Sequence, residues 1–392
     1  MGRLLVDLKL VETKTVDKYR RQGETIGKQS FALAWVMDQG AEERERGVTI
    51  DIATSQFETD KAHFTVLDAP GHRDFIPNMI AGASQADLAI LVIDGNTGAF
   101  ERGLKGQTRE HTLLLRSLGV QRLVIAINKL DMVGWSEERF VEISQQVGGF
   151  LAATGFQTKN ITYVPISGLH GDNITRLSID PGASWYKGPT LVEALEDSQP
   201  LPRALKKPFR MSISELYRST AQNQLMVSGR IDAGSIQTGD AVVVQPSGEQ
   251  AWIKGLDIDG AARDWAVAGE HVNIALTGID VVHVRVGDIM CPVAAPITVG
   301  DTFTMKALAF EHLTPMAVDV HRGRLHASGT IQSMPAILNK ATSAVAKKNP
   351  KVVPPGSVAR IVVKLSSSVP LEAGQRVVIR SEGNTVAAGM IE

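Results

Sequence analysis

One short turn in this sequence carries residue types that suit a phosphate and a divalent metal ion. After the apolar run at residues 64–67 come Asp68, then Ala69-Pro70-Gly71, then His72. Asp68 offers a hard carboxylate to Mg²⁺, the Gly71 N–H can approach a terminal phosphate closely, and His72 can hold a water in line for attack. D-x-x-G alone is weak evidence, since roughly one or two chance matches occur in a chain of this length.

A hydroxyl upstream of this turn is a second candidate metal ligand. Residues 42–47, EERERG, form a charged run, and the simplest interpretation of such a run is a solvated surface. Thr49 lies between this run and an alternating segment that ends at Phe57, so it occupies the junction of a loop and a strand. There it can bind Mg²⁺ through its hydroxyl and a phosphate through its backbone.

Regular alternation of strand-like and helix-like segments places these residues in an α/β fold. Such alternation predicts a parallel sheet covered on both faces, with ligands bound at the carboxyl ends of its strands. The strand-like runs lie at residues 64–67, 88–93, 123–127 and 163–166. The helical stretches lie near residues 74–85, 107–118 and 137–154.

The residues that follow the last two runs have the chemistry to recognise guanine. The third run ends in Asn128-Lys129-Leu130-Asp131, and the fourth in Ser167-Gly168-Leu169. A single carboxylate, here Asp131, can accept both the N1–H and the exocyclic amine of guanine, whereas adenine has no such pair of donors. Asn128 can hold neighbouring loops, the stem of Lys129 can cover the ring face, and the Ser167-Gly168 backbone can donate to the keto oxygen. The alternative is a polar turn without a ligand.

These motifs, in this order and spacing, resemble the translational GTPases. The matching segments are ERGVTI around Thr49, DAPGH at 68–72, NKLD at 128–131 and SGL at 167–169. Within that family, GQTREH at 106–111 and WYKG at 185–188 are similar to the elongation factor that carries aminoacyl-tRNA and to its paralogues. The segments SFALAWVMD at 30–38, DFIPNMIAGASQAD and LLLRSLGV look most like the Hbs type.

The resemblance implies an activity and a set of site residues. Proteins of the Hbs type hydrolyse GTP with Mg²⁺ and deliver a tRNA-shaped, Pelota-like partner to stalled ribosomes. It implies His72 as the catalytic residue that positions water, and Thr49 and Asp68 as the metal ligands. The nucleotide-binding residues that it implies are Asp68, Gly71, Asn128, Lys129, Asp131, Ser167, Gly168 and Leu169.

Two other functions remain compatible with the sequence. One is an elongation or termination paralogue that carries aminoacyl-tRNA or a release factor, and the other is a truncated or pseudo-GTPase that binds partners without hydrolysis. The run SMPAILNKATSAVAKKNPK resembles the rescue and termination branch more than the tRNA carrier. RERGVT at 44–49 departs from the usual pattern of the termination factor.

The phosphate-binding loop of the family, G-x-x-x-x-G-K-[ST], does not occur in these 392 residues. In that loop backbone N–H groups and the Lys cradle the phosphates, and the Ser or Thr holds the metal. MGRLLVDLKLV resembles the helix that follows the loop, so we expect residues 1 to about 35 to be helical. The predicted fold is an N-terminally truncated α/β P-loop-type GTPase domain followed by two all-β barrels, with weak GTP binding; whether the truncation is real or a wrong start codon stays open.

Composition divides the chain after the α/β region. Pro200, Pro202 and Pro208 with Lys206-Lys207 predict an extended linker. Many short strands with turn signals follow, and they predict two closed β-barrels. The predicted domains are residues 1–198 for the GTP-binding domain, 199–208 for the linker, 209–296 for the first barrel and 297–392 for the second.

Net charge and cysteine content limit the partners and the compartment. Lys+Arg 41 against Asp+Glu 42 leaves a net charge of −1, which argues against bulk attraction to nucleic acid or membrane. Cys291 is the only cysteine, which is typical of a reducing, cytoplasmic compartment, and no apolar run is long enough to predict a membrane partner. A local basic patch remains compatible with these values.

One lysine-rich segment could contact ribosomal RNA through phosphate charge. Lys340, Lys347, Lys348 and Lys351 lie close together in the sequence without an acidic neighbour. A solvated loop is an equally good interpretation, and no aromatic residues alternate with the lysines to stack on bases.

Overall fold

The computed structural model describes residues 1–25, 32–37, 43, 49–98, 107–198, 201–219 and 223–392. These residues form two compact units, Met1–Leu201 and Pro202–Glu392. The first unit is an α/β domain and the second contains two β-barrels, which confirms the predicted fold class.

The first unit contains six helices and five strands in its described residues. The helices are α1 (Gly2–Asp7), α2 (Thr13–Thr25), α3 (Ile76–Ala83), α4 (Gln107–Leu118), α5 (Glu137–Ala153) and α6 (Leu191–Glu196). The strands are β1 (Ala53–Glu58), β2 (His63–Asp68), β3 (Ala89–Asp94), β4 (Leu123–Asn128) and β5 (Ile161–Ile166).

Strands β3, β4 and β5 form a parallel sheet whose carboxyl ends are level. Asp94 lies beside Asn128, and Asn128 lies beside Ile166. β4 is the central strand and its residues up to Ile127 are fully buried, as expected for a strand covered on both faces. This register brings the polar residues that follow the three strands to one edge of the sheet.

β2 does not join this sheet in the described residues. The alternating pattern assigned it to the parallel sheet, but it pairs antiparallel with β1, with Ala53 opposite Asp68. The connection between them is short, at residues 59–62, which favours a hairpin, whereas parallel neighbours need a long crossover. Leu4 of α1 packs into the same apolar core as Phe57 and Val124, so α1 contributes to the centre of the unit.

The N-terminal segment, which we expected to be helical, contains two helices separated by a break. α1 ends at Asp7, Lys9 adopts a left-handed conformation with φ of 60°, and α2 begins at Thr13. The remainder of the expected helix, beyond Thr25, falls partly on residues outside the described ranges, and Ala34–Val36 forms a short 3-10 turn.

The second unit consists of two closed six-stranded barrels. The strands of the first are β6 (Arg210–Ser212), β7 (Glu215–Arg218), β8 (Leu225–Ala233), β9 (Ser235–Gln237), β10 (Ala241–Gln245), β11 (Glu249–Ile258), β12 (Ala261–Arg263), β13 (Trp265–Val267), β14 (His271–Thr277) and β15 (Ile289–Pro292). Its ring runs β10-β15-β6-β8-β14-β11 and closes through the pairing of β10 with β11. Closure removes the unpaired edges of the sheet.

The second barrel is also a closed ring of six strands. Its strands are β16 (Val299–Ala309), β17 (Ala317–Arg322), β18 (Leu325–Leu338), β19 (Val345–Lys348), β20 (Val358–Pro370), β21 (Arg376–Ser381) and β22 (Asn384–Ile391). Its ring runs β17-β21-β22-β16-β20-β18 and closes through β17 and β18, while β19 extends β18 as a hairpin. Each barrel encloses its own apolar cluster, centred on residues such as Val227 in the first and Ile361 in the second.

A buried arginine joins the two barrels. Arg322, at the end of β17, is 7% exposed and donates from Nη1 to Ser212 Oγ at 3.2 Å and from Nη2 to the Gly287 carbonyl at 3.1 Å. At Gly287, where φ is +95°, a Cβ would lie 2.9 Å from Leu325 Cα. Glycine therefore allows the loop of the first barrel to approach the β17–β18 hairpin closely.

None of the helices in the described parts of the chain has both the length and the apolar composition required to cross a bilayer.

Candidate functional site

Asn128 connects the loops that follow β4 and β5. Its Oδ1 accepts hydrogen bonds from the N–H groups of Gly168, at 2.8 Å, and of Lys129, at 2.9 Å. The backbone N–H of Gly95, after β3, donates to the Asn128 carbonyl at 2.8 Å. One residue therefore holds the ends of three neighbouring strands in a fixed arrangement.

Lys129 is oriented by its backbone and by an ion pair. Its φ of 66° is left-handed, and its Nζ lies 2.7 Å from Oδ2 of Asp94. Burial raises the pKa of Asp94, but hydrogen bonds from Lys129 and Asn96 outweigh burial, so the pKa lies below its usual value. The ion pair holds the alkyl stem of Lys129 across the edge of the sheet, where a planar base could lie against it.

Asp131 follows in a short 3-10 turn, Leu130–Val133, and points toward the β5 loop. Its carboxylate is 20% exposed, and its Oδ2 lies 3.8 Å from Nε2 of His170. Ser167 is fully buried, and its Oγ accepts from the N–H of His170 at 3.3 Å. The carboxylate of Asp131 and the loop of residues 167–170 thus face each other.

Two backbone N–H groups of the loop after β5 already make hydrogen bonds within the protein. The Ser167 N–H donates to the Asp172 carbonyl at 3.2 Å, and the Gly168 N–H donates to Asn128. Within residues 167–169, the Leu169 N–H is the group without a hydrogen bond to a described residue. Donation from the Ser167-Gly168 backbone to a guanine keto oxygen stays a prediction, since it would require one of these N–H groups to exchange its present partner.

Arg139 is a site-supporting residue that the sequence did not reveal. It lies in the first turn of α5 with an 11% exposed side chain, and it donates to the carbonyls of Gly95 and Asn96, each at 3.1 Å. These bonds hold the loop after β3 beside Lys129. No motif marks Arg139, because its role depends on where α5 packs against that loop.

The turn after β2 places Gly71 against α4 and leaves His72 partly exposed. The His72 side chain is 48% exposed, and its Nδ1 accepts from the Asp74 N–H at 3.3 Å. A Cβ on Gly71 would lie 3.7 Å from Cε1 of His111 on α4. Burial lowers the pKa of His111, and a hydrogen bond to the Gly71 backbone acts in the opposite direction. His111 belongs to the GQTREH motif, which was the available signal for this contact.

The proposed metal ligands lie at the same end of the β1–β2 hairpin. Asp68 is the last residue of β2 and pairs with Ala53, the first residue of β1, and Thr49 lies four residues before Ala53. The Ile50 carbonyl, next to Thr49, accepts from Asn78 Nδ2 at 2.7 Å, which ties this segment to α3.

The donor set at this hairpin suits magnesium better than a soft metal. Among the described residues, no three His, Cys, Asp or Glu side chains are grouped to hold a metal ion. A hydroxyl and a single carboxylate are typical of Mg²⁺ sites, in which waters and phosphate oxygens complete the coordination. The residues present therefore fit the ion that the resemblance implies.

Two family models match the chain. The elongation factor Tu GTP binding domain matches residues 1–201, and the elongation factor Tu C-terminal domain matches residues 319–392. Together they cover the α/β unit and most of the second barrel.

Curated relatives align with the entire chain. It is 39% identical to protein HBS1 of Drosophila melanogaster, over 100% of this chain and 60% of HBS1. It is 36% identical to elongation factor 1-alpha of Cenarchaeum symbiosum (strain A), over 100% of this chain and 92% of that protein. This chain therefore spans somewhat more than half of HBS1 and nearly all of the elongation factor.

Solved structures share the architecture. The GTPase-like domain of S. cerevisiae Ski7, solved with GTP bound, superposes with a TM-score of 0.79 over 100% of this chain and 93% of that domain. At 17% identity this similarity shows the fold alone.

Proposed function

Because this chain belongs to the elongation factor Tu-like family of translational GTPases, which hydrolyse GTP, we propose that its sheet edge binds a guanine nucleotide. The observation that carries the proposal is the hydrogen bond from Gly168 to Asn128, which brings the N-K-x-D and S-G-L loops together. A polar turn without a ligand would not require two loops from different strands to meet around one carboxylate.

Guanine recognition follows from the groups that face this edge. Asp131 accepts the N1–H and exocyclic amine of the base, and the stem of Lys129 covers one ring face. Asn128 keeps the loops in place, and Ser167 and Gly168 shape the β5 loop. The keto oxygen of guanine accepts a hydrogen bond from the Leu169 N–H, or it replaces Asn128 Oδ1 as the acceptor for the Gly168 N–H. A carboxylate that pairs with two donors discriminates strongly against bases that lack them.

The phosphate end of the nucleotide lies toward the β2 turn in this proposal. Thr49 and Asp68 would hold Mg²⁺, which would neutralise charge on the phosphates. Gly71 presents its backbone to the terminal phosphate, and His72 positions the attacking water without acting as a strong base. Rotation of His72 away from the Asp74 N–H frees its Nδ1 for that role.

The substitution Asp131→Asn tests the base assignment. Nucleotide binding is measured by titration with fluorescent GDP and with the xanthosine analogue, and the ratio of the two dissociation constants is compared. In a chain restored to full length with a phosphate-binding loop, we expect the wild type to favour guanine by several orders of magnitude and the variant to shift toward xanthine, whose keto group suits an amide donor. Asp60→Asn, at an exposed position of the β1–β2 connection, is the matched control. An unchanged ratio in Asp131→Asn would remove Asp131 from the site.

The partners belong to the same proposal. We infer delivery of a Pelota-like, tRNA-shaped protein to stalled ribosomes in the cytoplasm, supported by the Hbs-like segments and by the identity to HBS1. Contact of Lys340, Lys347, Lys348 and Lys351 with ribosomal RNA is part of it, and all four side chains are exposed. The boundaries at residues 198, 208 and 296 stay predictions.

One observation favours another function. The 36% identity to elongation factor 1-alpha over the entire chain favours a carrier of aminoacyl-tRNA or a release factor. Pull-down with purified Pelota-like protein, aminoacyl-tRNA and release factor separates the carriers. Recovery of either of the last two without the first would assign the chain to a paralogue.

A further inference from the structure

Arg3, near the start of α1, contacts the loop that follows β5. Its Nη1 donates a hydrogen bond to the Leu169 carbonyl at 3.3 Å, although 166 positions separate the two residues in the sequence. The neighbouring Leu4 and Leu5 are buried, and burial of these two apolar side chains anchors α1 in the first unit. The Arg3 side chain therefore extends from an anchored helix to the edge at which the nucleotide-binding loops meet.

An ion pair within α1 holds the Arg3 guanidinium in this position. Arg3 Nε lies 2.9 Å from Oδ1 of Asp7, four residues further along the helix, and the two side chains are 27% and 15% exposed. Side chains at this spacing lie on the same face of a helix, so the pair requires no distortion of α1. Because both groups are largely shielded from water, the interaction restricts the arginine more than a fully exposed pair would.

Gly171, at the end of the loop, leaves the space that this ion pair occupies. Its φ is +85°, and a Cβ at this position would lie 2.8 Å from Arg3 Nε and 2.8 Å from Asp7 Oδ2. Glycine adopts this backbone conformation readily and has no Cβ to displace the pair. The loop backbone and the ion pair are therefore in direct contact.

The contact fixes one of three consecutive peptide groups at residues 167–170. The first is held by its N–H, which donates to Asn128 Oδ1. The third is held at both ends, since its Leu169 carbonyl accepts from Arg3 and its N–H donates to Ser167 Oγ at 3.3 Å. The second carries the Leu169 N–H, which is the donor available for a guanine keto oxygen. Because peptide groups are planar, two fixed neighbours leave this donor little freedom to turn.

We propose that Arg3 is a positioning residue for guanine specificity, which orients the Leu169 N–H toward the keto oxygen of the base. The inference rests on the proposed guanine site and adds to it a residue of α1, outside both base-recognition loops. It also selects the Leu169 N–H over the Gly168 N–H as the donor. Asp131 recognises the N1–H and the exocyclic amine through a different loop. Substitution of Arg3 should therefore weaken recognition of the keto group and leave recognition of the amine intact.

Three nucleotides that differ only in the base test the proposal with the full chain. GMP carries both groups, IMP lacks the exocyclic amine, and 2-aminopurine riboside monophosphate lacks the keto oxygen together with the N1–H. Ligand-observed NMR gives the three dissociation constants and tolerates weak binding. Arg3→Met keeps the aliphatic bulk of the side chain and removes its donors. Arg20→Met is the matched control, because Arg20 pairs with Asp17 at 3.8 Å on an exposed face of α2.

The substitution should affect one preference and spare the other. We expect the preference for GMP over the 2-aminopurine nucleotide to fall by about 3- to 10-fold in Arg3→Met, which is the contribution of one hydrogen bond. The preference for GMP over IMP should stay unchanged, since it depends on Asp131. Arg3→Lys, which keeps a charged donor, should restore part of the lost preference, and Arg20→Met should behave as the wild type does.

Hydrogen exchange without nucleotide provides a second measurement. The N–H groups of His170 and Gly171 donate to Ser167, and loss of the Arg3 contact should speed their exchange by at least about 3-fold relative to the control. Circular dichroism melts establish that the variants are folded. If Arg3→Met does not fold, Asp7→Asn carries the test, because it keeps Arg3 and removes the charge that orients it.

Three results would contradict the proposal. Equal loss of both preferences in Arg3→Met would assign Arg3 a general structural role and overturn it, as would a 2-aminopurine discrimination equal to that of Arg20→Met. Unchanged hydrogen exchange would show that Arg3 does not hold the loop. A wild-type chain without preference for GMP over either analogue would refute the guanine site itself, and with it this role of Arg3. That last failure is distinguishable, because it is seen before any substitution is made.

Discussion

Removal of the Arg322 guanidinium should weaken the contact between the two barrels without unfolding either barrel. The substitution Arg322→Met keeps much of the side-chain volume but eliminates the donors to Ser212 Oγ and to the Gly287 carbonyl. Burial is the main reason that the pKa of Arg322 is lowered to about 10, and the charges of Asp232 and Asp288 oppose it. At neutral pH the group is still charged, so the variant loses charge-assisted bonds.

The size of the effect follows from two opposing contributions. Two hydrogen bonds to a charged group contribute about 1.5–3 kcal/mol each, and the acceptors left behind are buried without a partner. The lowering of the Arg322 pKa from 12.5 to about 10 corresponds to a net free-energy cost of roughly 3 kcal/mol for keeping this group charged in the folded protein. A Met at this position does not have that cost. The net loss should be about 3 kcal/mol, at the lower end of the range for breaking a buried ion pair.

Equilibrium urea denaturation of the full chain, followed by tryptophan fluorescence, measures this loss; Trp252 and Trp265 report on the first barrel, and Trp35, Trp135 and Trp185 report on the first unit. We expect a lower midpoint for the second unit, with unchanged slope if both barrels still unfold completely. Arg360→Met is the matched control, because it removes an arginine of the same barrel whose ion pair with Glu392 lies at the surface. A shift no larger than that of the control would show that Arg322 does not hold the barrels together.

Two further predictions concern protonation and hydrolysis. Burial raises the pKa of Asp288 from 3.8 to about 6, so this carboxyl binds a proton more tightly in the folded protein than in the unfolded chain. The stability that this group contributes is therefore complete below about pH 4 and is lost as the pH rises through about 6. Asp288→Asn should therefore stabilise the chain at pH 7 by about 1–3 kcal/mol relative to its effect at pH 4, as measured by thermal melts across pH, and an equal effect at both pH values would contradict this reasoning. In a chain restored to full length with a phosphate-binding loop, His72→Ala should leave nucleotide affinity unchanged and reduce ribosome-stimulated GTP hydrolysis by about 10²-fold, because a misplaced water attacks slowly. Single-turnover assays check this, and an unchanged rate would exclude His72 from the reaction.

Local patterns in the sequence determined which segments form strands and helices and which residues could do chemistry. α4 and α5 lie where their periodicity predicts, and Asn128 follows β4 as the end of an apolar run indicates. The two barrels were also predictable, because short strands separated by turn residues are a property of neighbouring residues. The chemistry of a carboxylate facing guanine depends on residue type, so Asp131 could be selected before any fold was known.

Tertiary structure decided everything that depends on which distant residues meet. β2 pairs with β1 and not with the parallel sheet, and the Gly168 N–H is occupied by Asn128, so the Leu169 N–H is the group left to donate. Arg139 and Arg322 support their surroundings through packing that leaves no periodic signal in the chain. Register likewise decides which side chains share a face of the second barrel: Lys306 of β16 lies opposite Arg360 of β20, and a shift of one residue would turn these side chains to opposite sides of the sheet.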